Sequence, residues 1–103
     1  MPIMEISIVP LGTKTTSISK YVADALRVPK RQKGIKYQLT AMGTIIEADS
    51  LDRLLEVAGK MHRVVFNDGA LRVLTSIKID DRRGKKLTIE GKVKSVKRKL
   101  REI

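Results

Sequence analysis

Residues 4–79 pass twice through the same order of hydrophobic periods, two then 3.6 then two, and this doubled pattern leaves few architectures open. In the first half, Met4–Val9 is rich in β-branched residues and runs into Pro10-Leu11-Gly12, a strand followed by a turn. Thr13–Ser19 is dense in hydroxyls, and Thr16 or Ser17 is suited to cap a helix. Ile18, Tyr21, Val22, Ala25 and Leu26 then recur at helical spacing. Pro29, which lacks an amide donor, breaks or kinks that helix, and Gly34 closes the segment. Ile35–Met42 alternates and reads as the next strand.

The second half opens after Gly43 with a strand over Thr44–Ala48. Ser50 is a candidate N-cap, and Asp52 favours the first turn of the helix that follows. Leu51, Leu54, Leu55, Ala58, Met61, His62 and Val65 form its apolar stripe. Asn67-Asp68-Gly69 turns the chain into a strand over Arg72–Ile79, and Asp80–Lys86 is a charged loop. Two consecutive strand–helix–strand units bury both helices on one face of a four-stranded antiparallel sheet. The expected fold is the α+β, ferredoxin-like βαββαβ sandwich, with the first and fourth strands side by side. One domain over residues 1–103 is expected, its sandwich core at about 3–80.

A further helix is expected over Gly91–Ile103, where Val93, Val96, Leu100 and Ile103 form a narrow apolar seam among basic residues. A short helix with one such stripe is marginal alone and should dock on its own domain or on a neighbouring subunit. Residues 82–103 carry ten Lys/Arg against two acids, so most of the formal charge of +11 belongs to this tail. A second cluster is Arg27, Lys30, Arg31, Lys33 and Lys36. A basic stripe suits phosphate backbones. With only Tyr21, Tyr37 and Phe66 as aromatics, base stacking is poorly supplied. The plainer reading is a solvated lysine-rich surface, with nucleic-acid binding weak and non-specific. No apolar run is long enough for a membrane span, the apolar seam is a poor surface anchor, and the absence of cysteine suits a cytoplasmic location.

Catalytic signatures are missing: the chain has no phosphate loop, no metalloprotease helix, no serine elbow and no cysteine nucleophile. No metal site is expected. Asp80 and Asp81, adjacent on an extended segment, point apart and read as an ion-paired loop. His62, on an apolar helical face, reads as a structural histidine with one hydrogen bond. The sheet offers more. With Met4, Ile6, Ile8, Tyr37, Leu39, Ile46, Ile77 and Ile79 facing the helices, the other face collects Glu5, Ser7, Gln38, Thr40, Glu47, Ser76 and Lys78. Val9, Ile45 and Leu74 are interleaved with them. Such a face suits a small polar ligand or a subunit contact. Glu47, a lone carboxylate in an apolar strand, needs either a ligand or an ion-pair partner, for which Lys78 is available across the sheet.

The segments MEISIVPLGT, TSISKYV, IKYQLTAMGTIIEA and VLTSIKIDDRR together resemble the small thiamine-binding, YkoF-like family of ferredoxin-like proteins, in its single-domain form. The chain departs from that pattern at Ala41 and Ala48, where proline and glycine are expected, and in its more basic C-terminal helix. The resemblance implies a non-catalytic protein without a cofactor that binds thiamine or its hydroxymethylpyrimidine moiety and assembles as a homotetramer, a dimer of dimers. For that ligand the candidate residues are Glu47, Ser7, Thr40, Thr44 and Tyr37, a set drawn from both faces of the sheet. A basic nucleic-acid-binding module and a structural or regulatory oligomer without a small-molecule ligand are the alternatives.

Overall fold

The computed structural model describes residues 1–15 and 17–101. In chain order the elements are β1 (Ile3–Leu11), α1 (Ser19–Arg31), β2 (Lys36–Leu39), β3 (Thr44–Glu47), α2 (Leu51–Asn67), β4 (Arg72–Asp80) and α3 (Ile89–Arg101). The four strands form one antiparallel sheet in the order β2-β3-β1-β4. β1 and β4 are therefore neighbours, and the ferredoxin-like α+β architecture is present.

Register explains the two faces. Met4 stands opposite Ile46 on one side and Ile79 on the other, and Tyr37 continues the row beyond Ile46. Side chains alternate along strands, so Met4, Ile6, Ile8 and Ile46 all point to the helices. There they bury with Ala25, Leu54, Val57, Ala58, Met61 and Val65 in one core. Leu51 and Leu55, counted on the apolar stripe of α2, are exposed, because Val57 takes the inward direction in the middle of that helix. Ser50 caps α2 as expected, accepting the Arg53 N–H at 3.2 Å.

Three local expectations are corrected. Ser17 does not cap α1: the N-cap is Ile18, with no side-chain cap, and the Ser17 hydroxyl lies 3.2 Å from that of Ser19. Thr16, the other candidate, lies outside the described residues. Of the two effects expected of Pro29, a break does not occur at that residue: it sits buried in the last turn of α1, and the helix closes two residues later with the Gln32 N–H on the Pro29 carbonyl at 3.3 Å. Finally, α3 begins at Ile89, two residues earlier than its basic pattern suggests.

α1 and α2 also bring two acids together. Asp68, just past α2, stands against Asp24 of α1. Hydrogen bonding to Asp24, then burial and the like charge of Asp24, raise its pKa above the ordinary carboxyl value, with Lys20 and Arg27 acting in the opposite sense. The fold thus favours the protonated form of Asp68. Stability linked to this group is full at acid pH and is lost as pH rises through the raised pKa. Asp68→Asn keeps a donor toward Asp24 and removes the titration. The variant is expected to melt higher than the parent at pH 7, with the gain vanishing below about pH 4; equal melting at both pH values would refute this coupling.

Candidate functional site

Strand β3 is short, and this opens a cavity on the helix side. Its pairing with β1 stops at Ile6↔Thr44. Beyond that point Ser7, Ile8 and Val9 keep β4 on one side but have no strand on the other. The gap lies between the start of α1 and the β2–β3 turn. It is a cavity of about 270 Å³ walled by Ile18, Val22, Ala25, Leu39 and Met61, with Thr40 and Thr44 in its lining and the backbone edge of Ser7, whose side chain alternates to the other face of the sheet. Backbone amide and carbonyl groups on the unpaired edge of β1 are available to a ligand there, as on any strand edge. Three of the five candidate residues thus converge.

Thr40 serves the turn as well as the cavity. The sequence alternates through Met42, yet β2 ends at Leu39. Thr40 leaves the strand because its side chain takes over the backbone's role. Its hydroxyl donates to the Gly43 carbonyl at 2.9 Å and accepts the Gly43 and Met42 amides at 3.1 and 3.3 Å, and its own amide donates to Gly43 at 2.8 Å. Such local side-chain bonds compete with ladder pairing. Gly43 is pressed against β1, where an added Cβ would stand 3.0 Å from the Ile6 carbonyl oxygen.

Glu47 lies at the opposite end of β3, on the face away from α1 and α2. It is 2% exposed, and its Oε1 accepts the Ile89 amide at 2.8 Å. The carboxylate thus holds the first turn of α3, where amides lack helical partners and the helix dipole favours negative charge. Lys78, the cross-strand partner considered for Glu47, pairs instead with Glu5 at 3.6 Å, because Glu5, not Glu47, stands opposite it in the register. Around this junction Leu87 and Ile89 pack on Ile3 and Ile45 in a second small core. A groove of about 580 Å³ runs between α3 and the sheet, with Ile3, Ile45 and Val93 below and Glu5, Gln38 and Lys78 at its rim. Tyr37 is on the helix side of edge strand β2, half exposed and outside the lining of the cavity of Ser7 and Thr44.

The remaining chemistry is structural. His62 Nδ1 lies 2.6 Å from the Thr75 hydroxyl, and its ring meets Phe66 edge-on, as its place on α2 suggests. Asp80 pairs with Lys92 of α3 at 2.6 Å rather than with its loop neighbours. Among the described residues no group of three metal-ligating side chains assembles, and no helix is long and apolar enough to cross a membrane.

Fold and cavity together define a small ferredoxin-like protein with a hydroxyl-bearing apolar pocket at a broken strand edge. Residues 4–97 match the model of the thiamine-binding protein family, and the chain belongs to that family. It is 45% identical over 103 residues to the UPF0045 protein YqgV of Bacillus subtilis, covering 97% of this chain and 98% of that one. A hypothetical protein of Methanocaldococcus jannaschii superposes with a TM-score of 0.83 at 44% identity, over 92% of this chain and 94% of that one. A putative thiamine biosynthesis/salvage protein of Thermotoga maritima shares the fold, with a TM-score of 0.77 at 21% identity over 92% and 97% of the two chains.

Proposed function

We propose that the chain is a non-catalytic, cytoplasmic binding protein for thiamine or its hydroxymethylpyrimidine moiety, and that the ligand occupies the cavity beside β1. The observation that carries this reading is the unpaired edge of β1 at Ser7–Val9, set beside Thr44 in an apolar-walled space of about 270 Å³. An aminopyrimidine presents a donor beside acceptors along one edge and apolar ring faces, which matches a strand edge flanked by hydroxyls and aliphatic walls. Membership of the thiamine-binding family supports the ligand class. Thr40 acts by fixing the turn; Glu47 and Tyr37 lie outside this cavity.

Calorimetric titration tests the reading. Wild-type protein is expected to release heat with thiamine or hydroxymethylpyrimidine. Thr44→Val should weaken binding by about 1 kcal/mol, the scale of one neutral hydrogen bond, whereas Ser7→Ala, which leaves the backbone edge intact, should not. No heat and no thermal shift at millimolar ligand would overturn it. The same reading includes a homo-oligomer, a dimer of dimers, supported by the exposed Val93, Val96 and Leu100 of α3 and Leu74 of the open sheet face. Sedimentation at the monomer mass of 11.5 kDa would refute the assembly while leaving the ligand in place.

A further inference from the structure

We propose that the loop at residues 82–86 and the outer side of α3 form a sequence-blind docking surface for the phosphate backbone of double-stranded nucleic acid. This use is independent of the cavity beside β1 and employs none of its residues. The Cα radius of gyration is 15.1 Å, against roughly 13 Å for a compact chain of this length. The excess comes with α3, whose residues from Glu90 onward are exposed once Ile89 has anchored it.

Charge is arranged on this arm by side. At 100° per residue, Lys94 and Arg98 fall on the side away from Val93, Val96 and Leu100, and Lys97 and Arg101 lie between the two sides. A concave surface of about 240 Å³ brings Lys85 and Lys86 of the loop beside Ser95 and Arg98 of the helix, so that loop and helix make one continuous patch. Of the ten Lys/Arg from Arg82 to Arg101, Lys92 alone pairs with an acid among the described residues. On α1 and α2 several cations are paired instead: Asp24 holds Arg27, and Glu56 holds both Arg53 and Lys60.

The spacing on the arm opposes its own helix. Lys94 and Arg98, and likewise Lys97 and Arg101, stand four residues apart, where like charges destabilise a helix. An anionic partner removes that repulsion. The absence of aromatic residues from 82–103 leaves nothing on which single-stranded bases could stack. Two valines and one leucine on the other side are too little for a lipid surface. A helical row of charges about 10 Å long from Lys94 to Arg101, extended by Lys85 and Lys86 of the loop, matches a duplex, which presents a phosphate charge every ~1.7 Å of its axis.

Fluorescence anisotropy with a labelled duplex of mixed sequence tests this on the full chain. Affinity is expected to fall by about 100-fold or more between about 50 and 200 mM salt, as four or more neutralised phosphates require, and to be alike for unrelated sequences. Lys94→Glu with Arg98→Glu should weaken binding at least ~10-fold at the lower salt and reduce the salt slope by about two, with melting unchanged. Lys30→Glu with Lys33→Glu, the same change of net charge away from the arm, should have little effect. No binding at the lower salt would overturn the proposal. So would equal losses from both double variants, or tighter binding to anionic phospholipid vesicles than to duplex.

Discussion

Replacing Glu47 with alanine is expected to destabilise the protein by about 3 kcal/mol and to release α3 from the sheet. The carboxylate is almost wholly buried and accepts the Ile89 amide at 2.8 Å. Its loss leaves that amide unsatisfied, at about 1–3 kcal/mol, and opens a void beside the packed Ile3 and Ile45. Little else secures α3: Leu87 and Ile89 in the small core, Lys92 on Asp80, and a long contact of 3.9 Å between Lys36 and Glu90. Glu47→Gln keeps an acceptor and loses only the charge at the helix terminus, so it should cost about 1 kcal/mol. Urea unfolding gives the stabilities, and far-ultraviolet circular dichroism reports the helix. The same variant separates two roles for this residue. On the present geometry Glu47→Gln leaves thiamine affinity unchanged, whereas a loss of affinity with the melting curve intact would make Glu47 a ligand contact and move the proposed site to the other end of β3.

Glu47 also shows what a linear reading can and cannot deliver. A lone carboxylate among Thr44, Ile45 and Ile46 signals that some partner must exist, because an uncompensated buried charge is too costly. The partner is a backbone amide 42 residues away, and no periodicity reports such a pairing. The strand faces, by contrast, were legible, because alternation holds over most of β1 and β4, slipping only where Ile3 is buried beside Met4 and where Ile77 is exposed, and the register aligns the two strands. Thr40 is the instructive miss. It keeps the alternating pattern, yet its hydroxyl binds Gly43 and converts the end of the strand into a turn. The cavity exists because β3 ends where β1 does not, a mismatch of strand lengths that became visible only with the pairing. Ser7 and Thr44 were identifiable as polar residues on β1 and β3, but their convergence with Thr40 was not.

Gly43→Ala should damage both the fold and the pocket, and its comparison with Gly34→Ala isolates why. At Gly43 the obstacle is contact: the new Cβ would lie 3.0 Å from the Ile6 carbonyl oxygen. Neither side yields easily. β1 is held between β3 and β4, and Gly43 is tied to Thr40 through its amide and its carbonyl. Strain of this kind costs about 1–3 kcal/mol, and the lower entropy of the unfolded alanine chain offsets about 0.4–1 of it, leaving a net loss of up to about 2.5 kcal/mol. At Gly34 nothing lies within 4 Å, but φ is +75°, so alanine there costs about 1 kcal/mol through backbone conformation alone. Both variants should therefore melt lower. Only Gly43→Ala displaces the turn that walls the cavity, so thiamine affinity should fall in that variant and hold in Gly34→Ala. Melting curves and calorimetric titrations of the pair decide the matter. If Gly43→Ala melts at or above the parent temperature, the turn is not pinned against β1; if both variants bind alike, the cavity beside β1 is not where the ligand sits.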